Sequence, residues 1–308
     1  MCSTRLVASI VVGVAILVPQ ASVAEEASPR LALVATYETG HERGAEIVAV
    51  HAATARLIVV NSEHGELDVV DLSDPKAPRR IARHVVPRQA AEHLTSAAVH
   101  PSGTYVLAVV QNEAYDVPGR LIALRLADGK VLGAHAIGVG PDDVSVAPDG
   151  RTAVVANEAE HYAWDPATGT YASAPGTIAV VDLRQGPACA TVKRLALPDL
   201  TGHPGVTQAA DGRFLERDVD RDGNGTIEGD ERDVMIPLDA TPPHLEPEYV
   251  TYAPDSRHAY VTLQENNAVA VVDPIAGRLV RVLGLGITDH PADRKDDGTI
   301  DFSDRLLA

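Results

Sequence analysis

The feature that most constrains this 308-residue chain is a unit that recurs along it: an apolar strand, a tight turn, a second apolar strand and a third strand ending in Val-Asp. The first copy reads AEIVAV at 45–50, RLIVVN at 56–61 and ELDVVDL at 66–72. It returns as EYVTY at 248–252, AYVTLQ at 259–264 and AVAVVD at 268–273. The turns after the first strands align as AAT at 52–54, PSG at 101–103, PDG at 148–150 and PDS at 254–256. Pro or Asp followed by Gly pre-sets a hairpin turn, so each copy is a strand-turn-strand unit.

The first three turns are 49 and 47 residues apart. Units of roughly 40 to 50 residues with about four strands each are the signature of β-propeller blades. Many of the strands are near-continuous apolar runs, which suits strands covered on both faces. The reading is therefore all-β, with four recognisable blades beginning near residues 45, 95, 142 and 248. The last interval is longer because of a loop at 158–175, which carries Trp164, and a polar insertion at 198–247. The Gly, Asp and Pro content of the insertion argues against a hidden blade. Before the first copy, residues 31–37 read as a lone strand of the kind that completes a last blade, and 287–308 as a polar tail, the start of a missing blade.

Composition fits this architecture: 45% of residues are hydrophobic and only 4% aromatic, enough for a sizeable Val- and Ala-rich core. A net charge of −17 excludes nucleic acid as a partner, because phosphate binding needs a basic face. Arg5, the apolar stretch 6–18 and the small residues Ser22, Val23 and Ala24 predict an export signal over 1–24. That stretch of 13 residues is shorter than the roughly 20 a membrane span needs, so an anchor is the weaker reading. Removal of the signal takes Cys2 with it and leaves Cys189 as the one thiol, read as a small buried apolar residue.

Two sets of residues are candidate sites. Asp220, Asp222 and Asn224 occupy positions one, three and five of a twelve-residue calcium loop. Gly225 sits at six, Thr226 at seven, Ile227 at eight, Glu228 at nine and Glu231 at twelve. Each position offers what a hard cation with oxygen ligands requires, so the expected cofactor is calcium in a structural role. Gly212 and Pro237 disfavour flanking helices, which predicts an isolated loop. The stretch 293–304 has the same outline, but with Lys295 at position three and Asp304 at twelve it reads as a polar loop.

The second set is Glu46, Asp142 and Glu248, each six residues before its turn. Equivalent positions of a propeller gather around one axis. There, three carboxylates can bind a cation or raise one another's pKa, or each can cap its own blade through backbone hydrogen bonds. The capping reading is favoured. Asn61, Asn157 and Gln264 end the second strands and are expected to hold the same rim together. Catalytic constellations are not found: no Gly-x-Ser-x-Gly elbow, no His-Glu-x-x-His, no phosphate loop and no Cys-x-x-Cys occurs. His64, His161 and His290 read as surface residues.

The segments GAEIVAV at 44–50 and VVDLSDP at 69–75 resemble the choice-of-anchor I domain, as do LEPEYV at 245–250 and TLQENNA at 262–268. So do LGLG at 283–286 and Asp289-His290, and the resemblance runs from about residue 31 to 301. Single blades also resemble YVTN-type or LVIVD-type repeats. The resemblance implies a seven-bladed-type propeller of the WD40-like kind, exported, found also in mesenchyme-specific cell surface glycoprotein-like proteins. It implies a binding or scaffold protein of the periplasm or cell surface whose ligand is a protein, glycan or small molecule; the sequence itself is expected to hold no transmembrane anchor. Two alternatives stand beside it: an extracytoplasmic metal-dependent phosphoesterase using Glu46, Asp142 and Glu248, and a truncated fragment.

Overall fold

The computed structural model describes residues 32–41, 44–160, 162–165, 170–200, 202–206, 214–217, 226, 229, 234–237 and 245–286. The chain divides into two compact units, Met1–Val34 and Ala35–Ala308. All that follows concerns the second. The export signal over 1–24, the tail 287–308 and its acidic stretch 293–304 lie outside the described residues.

Four consecutive four-stranded antiparallel sheets account for the recurring unit. The first blade contains β1 (Val48–His51), β2 (Arg56–Asn61), β3 (Glu66–Asp71) and β4 (Arg79–Val85). The second contains β5 (Glu92–Val99), β6 (Tyr105–Asn112), β7 (Pro118–Arg125) and β8 (Val131–Val139). The third begins with β9 (Pro141–Val146) and β10 (Thr152–Asn157). It then sends out a small hairpin of β11 (Tyr162–Asp165) and β12 (Thr170–Ser173), and ends with β13 (Thr177–Asp182) and β14 (Thr191–Ala196). A separate hairpin pairs β15 (Phe214–Arg217) with β16 (Val234–Pro237). The fourth blade is β17 (Pro247–Tyr252), β18 (Ala259–Leu263), β19 (Ala268–Asp273) and β20 (Arg278–Gly284).

The middle strands explain the continuous apolar runs. Every residue of β10 and the first six of β6 are buried, because neighbouring blades cover both faces. Outer strands such as β4, with Arg79, Arg80 and Arg83, have one face toward solvent. Three apolar cores result, one per blade junction. Ile58, Val60 and Leu67 of the first blade meet Leu94, Val106 and Ile122 of the second. Leu107, Val109 and Leu121 meet Val155, Ala179 and Val181 of the third. Val154, Ile178 and Val180 meet Val261, Leu263 and Ala270 of the fourth. Each fully buried Val, Leu or Ile contributes about 1.5–3 kcal/mol, so the blade junctions are the main stabilising element.

The turns also lock successive blades. His51 Nε2 lies 3.0 Å from the carbonyl of Pro101, and His100 Nε2 lies 2.9 Å from the carbonyl of Gly150. The Asp149 amide donates to Ser256 Oγ at 3.1 Å. Each turn that marks the repeat in the sequence is thus bonded to the turn of the next blade.

First strands pack in series, β1 on β5, β5 on β9 and β9 on β17, and among the described residues no comparable packing joins β17 to β1. The predicted strand at 31–37 is not one: 32–39 carries no strand assignment. Tyr37 is held by a side chain of the first blade instead of by a sheet edge, donating to Asp68 Oδ2 at 2.6 Å. Cys189 also departs from expectation. It ends a 3-10 turn, Pro187–Cys189, and is exposed.

Candidate functional site

The first strands of the third and fourth blades bring the rim carboxylates together. At the start of β9 the chain reverses at Gly140, whose φ of 53° favours glycine, and a Cβ there would lie 2.8 Å from the Ala159 amide nitrogen. That close approach lets the Glu158 amide donate to the Gly140 carbonyl at 2.8 Å, fixing Glu158 beside Asp142. Asn157, fully buried, accepts from the Gly138 amide and donates to the Thr177 carbonyl, both at 3.1 Å. The next inner residue, Asp143, straddles three blades. Ser96 Oγ donates to its Oδ1 at 2.8 Å, and the Val250 amide to its Oδ2 at 2.9 Å. That bond sets β17 against β9, and Glu248 follows two residues before Val250.

The result is a concentration of negative charge. Burial, with Asp143 and Glu160 adding repulsion, pushes the Asp142 carboxyl up to about 6. Burial, then the charges of Glu160, Asp142, Glu246 and Glu248, push Glu158 up to about 9. Glu248 is raised to about 7 by burial and by Glu265, Asp142 and Glu160. Among the described residues no hydrogen bond or ion pair reaches the carboxylates of Asp142, Glu158 or Glu248.

Other buried carboxylates of the protein are neutralised. Glu92 takes two hydrogen bonds from Arg120, at 2.8 and 2.5 Å, and its carboxyl is held below the usual range, first by that pairing. Asp68 is disfavoured as an anion by burial, yet bonds from Arg83 and Tyr37 keep it low.

Of the three rim residues named from the sequence, the structure places Asp142 and Glu248 in one group. Glu46 stands apart: it accepts from Ser62 Oγ and is not among the charges acting on the other two. Sequence spacing missed Glu158, Glu160, Glu246 and Glu265, because they follow or precede strands and do not recur at a fixed offset. Asn61 and Asn157 are buried at the ends of their strands. In the fourth blade Asn266, not Gln264, is the buried one and accepts from the Glu246 amide at 3.2 Å.

At the opposite end of the same two blades lies a cleft of about 180 Å³ edged by Arg151, Arg184 and Lys193. Arg184 there is bound to Asp182, its Nη2 lying 2.5 Å from Oδ2.

Of the calcium-loop sequence, only Thr226 and Gly229 are described, both exposed. Asp220, Asp222, Asn224, Glu228 and Glu231 lie outside the described residues. The flanks are strands, with Arg217 opposite Val234, so the twelve residues fall within a hairpin connection. Among the described residues no three His, Cys, Asp or Glu side chains are arranged to hold a metal ion.

Consecutive four-stranded meanders stacked on their first strands are blades of a β-propeller. The chain belongs to the choice-of-anchor I domain family, whose profile matches residues 46–306, and membership implies a surface or exported protein. Among solved structures, it is similar to the beta-propeller domain of Myceliophteria thermophila Cps50 (Swd1). The identity is 15%, with a TM-score of 0.41 over 75% of this chain and 56% of that one. It is similar also to Kuenenia stuttgartiensis hydrazine synthase, at 15% identity and a TM-score of 0.38, over 73% and 63% of the respective chains. This chain thus spans less than two thirds of either. No curated protein matches it. Among the described residues no helix is long and apolar enough to cross a membrane.

Proposed function

We propose that this chain is an exported β-propeller that binds or scaffolds at the periplasmic or outer surface of a bacterial cell, with a calcium-stabilised loop at 220–231. The reading is carried by the β15/β16 hairpin, which brackets a sequence offering oxygen ligands at positions one, three, five, seven, nine and twelve of a calcium loop. Described strands, where a sensor loop would have helices, flank the loop on both sides, and this supports a structural role. Fold does not fix function, and the rigid blades supply only the frame on which loops recognise a ligand.

Calcium at about a hundredfold excess over its dissociation constant adds about 2.7 kcal/mol of stability, a rise of several degrees in melting temperature. Asp220→Ala combined with Glu231→Ala removes the rise. An unchanged melting curve across a calcium titration of the native chain would count against the loop. The hydrolase alternative gains no support from the rim, because Glu46 is not grouped with Asp142 and Glu248.

A further inference from the structure

We propose that the cleft between the third and fourth blades, at the end opposite the rim, binds a small carboxylate carried on an apolar body, an aromatic or branched aliphatic acid. The inference rests on the binding-protein reading and gives it a place and a ligand class. Sheet register builds one wall. Across β10, β13 and β14 the pairs Val154–Val180 and Val180–Lys193 make one row, and Thr152–Asp182 and Asp182–Thr191 the next. Residues two apart on a strand share a face, so both rows look toward the fourth blade, where Val154 and Val180 join the apolar core with Val261 and Ala270. The other wall is the turn between β19 and β20, from Pro274 to Gly277.

Lys193 gives the cleft its charge. Gly277 has a φ of 59°, and a Cβ there would lie 3.0 Å from Lys193 Cδ and 3.7 Å from Nζ. The bare glycine thus lets the lysine stem lie against the turn. Among the described residues the Lys193 ammonium has no hydrogen-bond or ion-pair partner. Arg184 donates to Asp182 through Nε at 2.9 Å and Nη2 at 2.5 Å, which leaves Nη1 without a partner among the described residues. Arg151 is held only loosely, 3.9 Å from Asp149. Three cations therefore line the cleft against one carboxylate, in a chain whose net charge is −17. That local reversal of sign draws in an anion. Val180, Pro274, Ile275 and Ala276 line much of the rest, so the anion must carry an apolar part. The volume is about 180 Å³, close to the roughly 150 Å³ that holds a benzene ring and below the roughly 300 Å³ of sites for drug-sized ligands. Because Arg184 has spent its fork on Asp182, the remaining donors suit a monoanion better than a phosphate dianion.

Calorimetric titration of the full chain with benzoate, acetate, benzamide and inorganic phosphate separates the charge from the apolar body. Benzoate is expected to saturate with a dissociation constant on the order of a millimolar. Acetate, which lacks the ring, and benzamide, which lacks the charge, should each bind about tenfold more weakly or worse. Lys193→Gln should weaken benzoate about tenfold, while Lys193→Arg retains most of the affinity. The glutamine variant loses no internal bond, so its melting temperature should match the native one. Raising the salt from about 0.05 to about 0.5 M should weaken benzoate severalfold, since the cations stand within reach of solvent. Lys130→Gln, an exposed lysine of the second blade, is the control and should change nothing. Four results overturn the proposal: no saturable binding of benzoate, benzamide binding as tightly as benzoate, benzoate affinity unchanged in Lys193→Gln, or Lys193-dependent binding of phosphate tighter than that of benzoate. Each leaves the calcium-dependent melting shift of the 220–231 loop intact, so this inference can fail while the binding-protein reading stands.

Discussion

Raising the pH of the ligand-free protein from about 5 to about 9 is expected to lower its melting temperature by on the order of 10 °C, and Glu158→Gln is expected to abolish most of that loss. The sign follows from the direction of the shifts. Asp142, Glu248 and Glu158 all have folded-state pKa values above those of the unfolded chain, at about 6, 7 and 9. Stability from such groups is complete below the unfolded values and is lost as pH rises through the folded ones. Asp142 is therefore lost first, Glu248 next and Glu158 last. Glu158 carries the largest shift, and after allowance for solvent screening at a half-buried group it accounts for about 3 kcal/mol. Asp68 and Glu92 have depressed pKa values, so their stabilisation is lost only in acid, outside this window. Thermal melts across the pH series decide the matter. A melting temperature that is flat between about pH 6 and 9, or an equal fall in Glu158→Gln, would show that these carboxyls are not buried against one another.

The sequence pattern revealed the blades because their signal is local. Turns 49 and 47 residues apart over the first three blades and the Val-Asp ends of third strands are properties of single blades, and the four sheets fall where those marks predict. What joins blades was harder to read. The turn-to-turn bonds of His51 and His100 involve residues that look like surface histidines until the next blade is packed beside them. The rim was half legible for the same reason. Asp142 and Glu248 share an offset from their turns, but Glu46 shares it too and accepts from Ser62 of its own blade. The carboxylates that complete the rim, Glu158 above all, are placed by the backbone reversal at Gly140, which has no periodic trace. The segment before the first blade misled in a similar way. Its apolar residues suggest a strand, whereas Tyr37 donates to Asp68 of β3 and Thr39 accepts from Arg80 and Arg83 of β4.

That segment carries the second large effect: Arg83→Ala is expected to destabilise the protein by about 3–5 kcal/mol, since it leaves Asp68 buried without its main partner. Asp68 is 1% exposed and lies on the face of β3 turned away from the second blade. Arg83 donates through Nε to Oδ1 at 2.6 Å and through Nη2 to Oδ2 at 2.8 Å. The same guanidinium donates to the Thr39 carbonyl at 2.7 Å and to His41 Nε2 at 2.6 Å. It therefore ties Thr39 and His41 across the face of the first blade turned away from the second. Val59 and Val70 on that face are 3% and 0% exposed. Loss of Arg83 frees the segment and uncovers them, so the variant should show faster hydrogen exchange at 37–41 and a concentration-dependent tendency to associate. Arg80, 3.5 Å from Asp68 and 41% exposed, is the control, and its alanine variant should cost about 1 kcal/mol or less. Replacing the pair together, Asp68→Leu with Arg83→Met, should recover much of the stability, because no unpaired charge is then left behind. It should not recover the protection at 37–41. Recovery of both would mean that apolar contact, and not the arginine, holds this segment against the first blade.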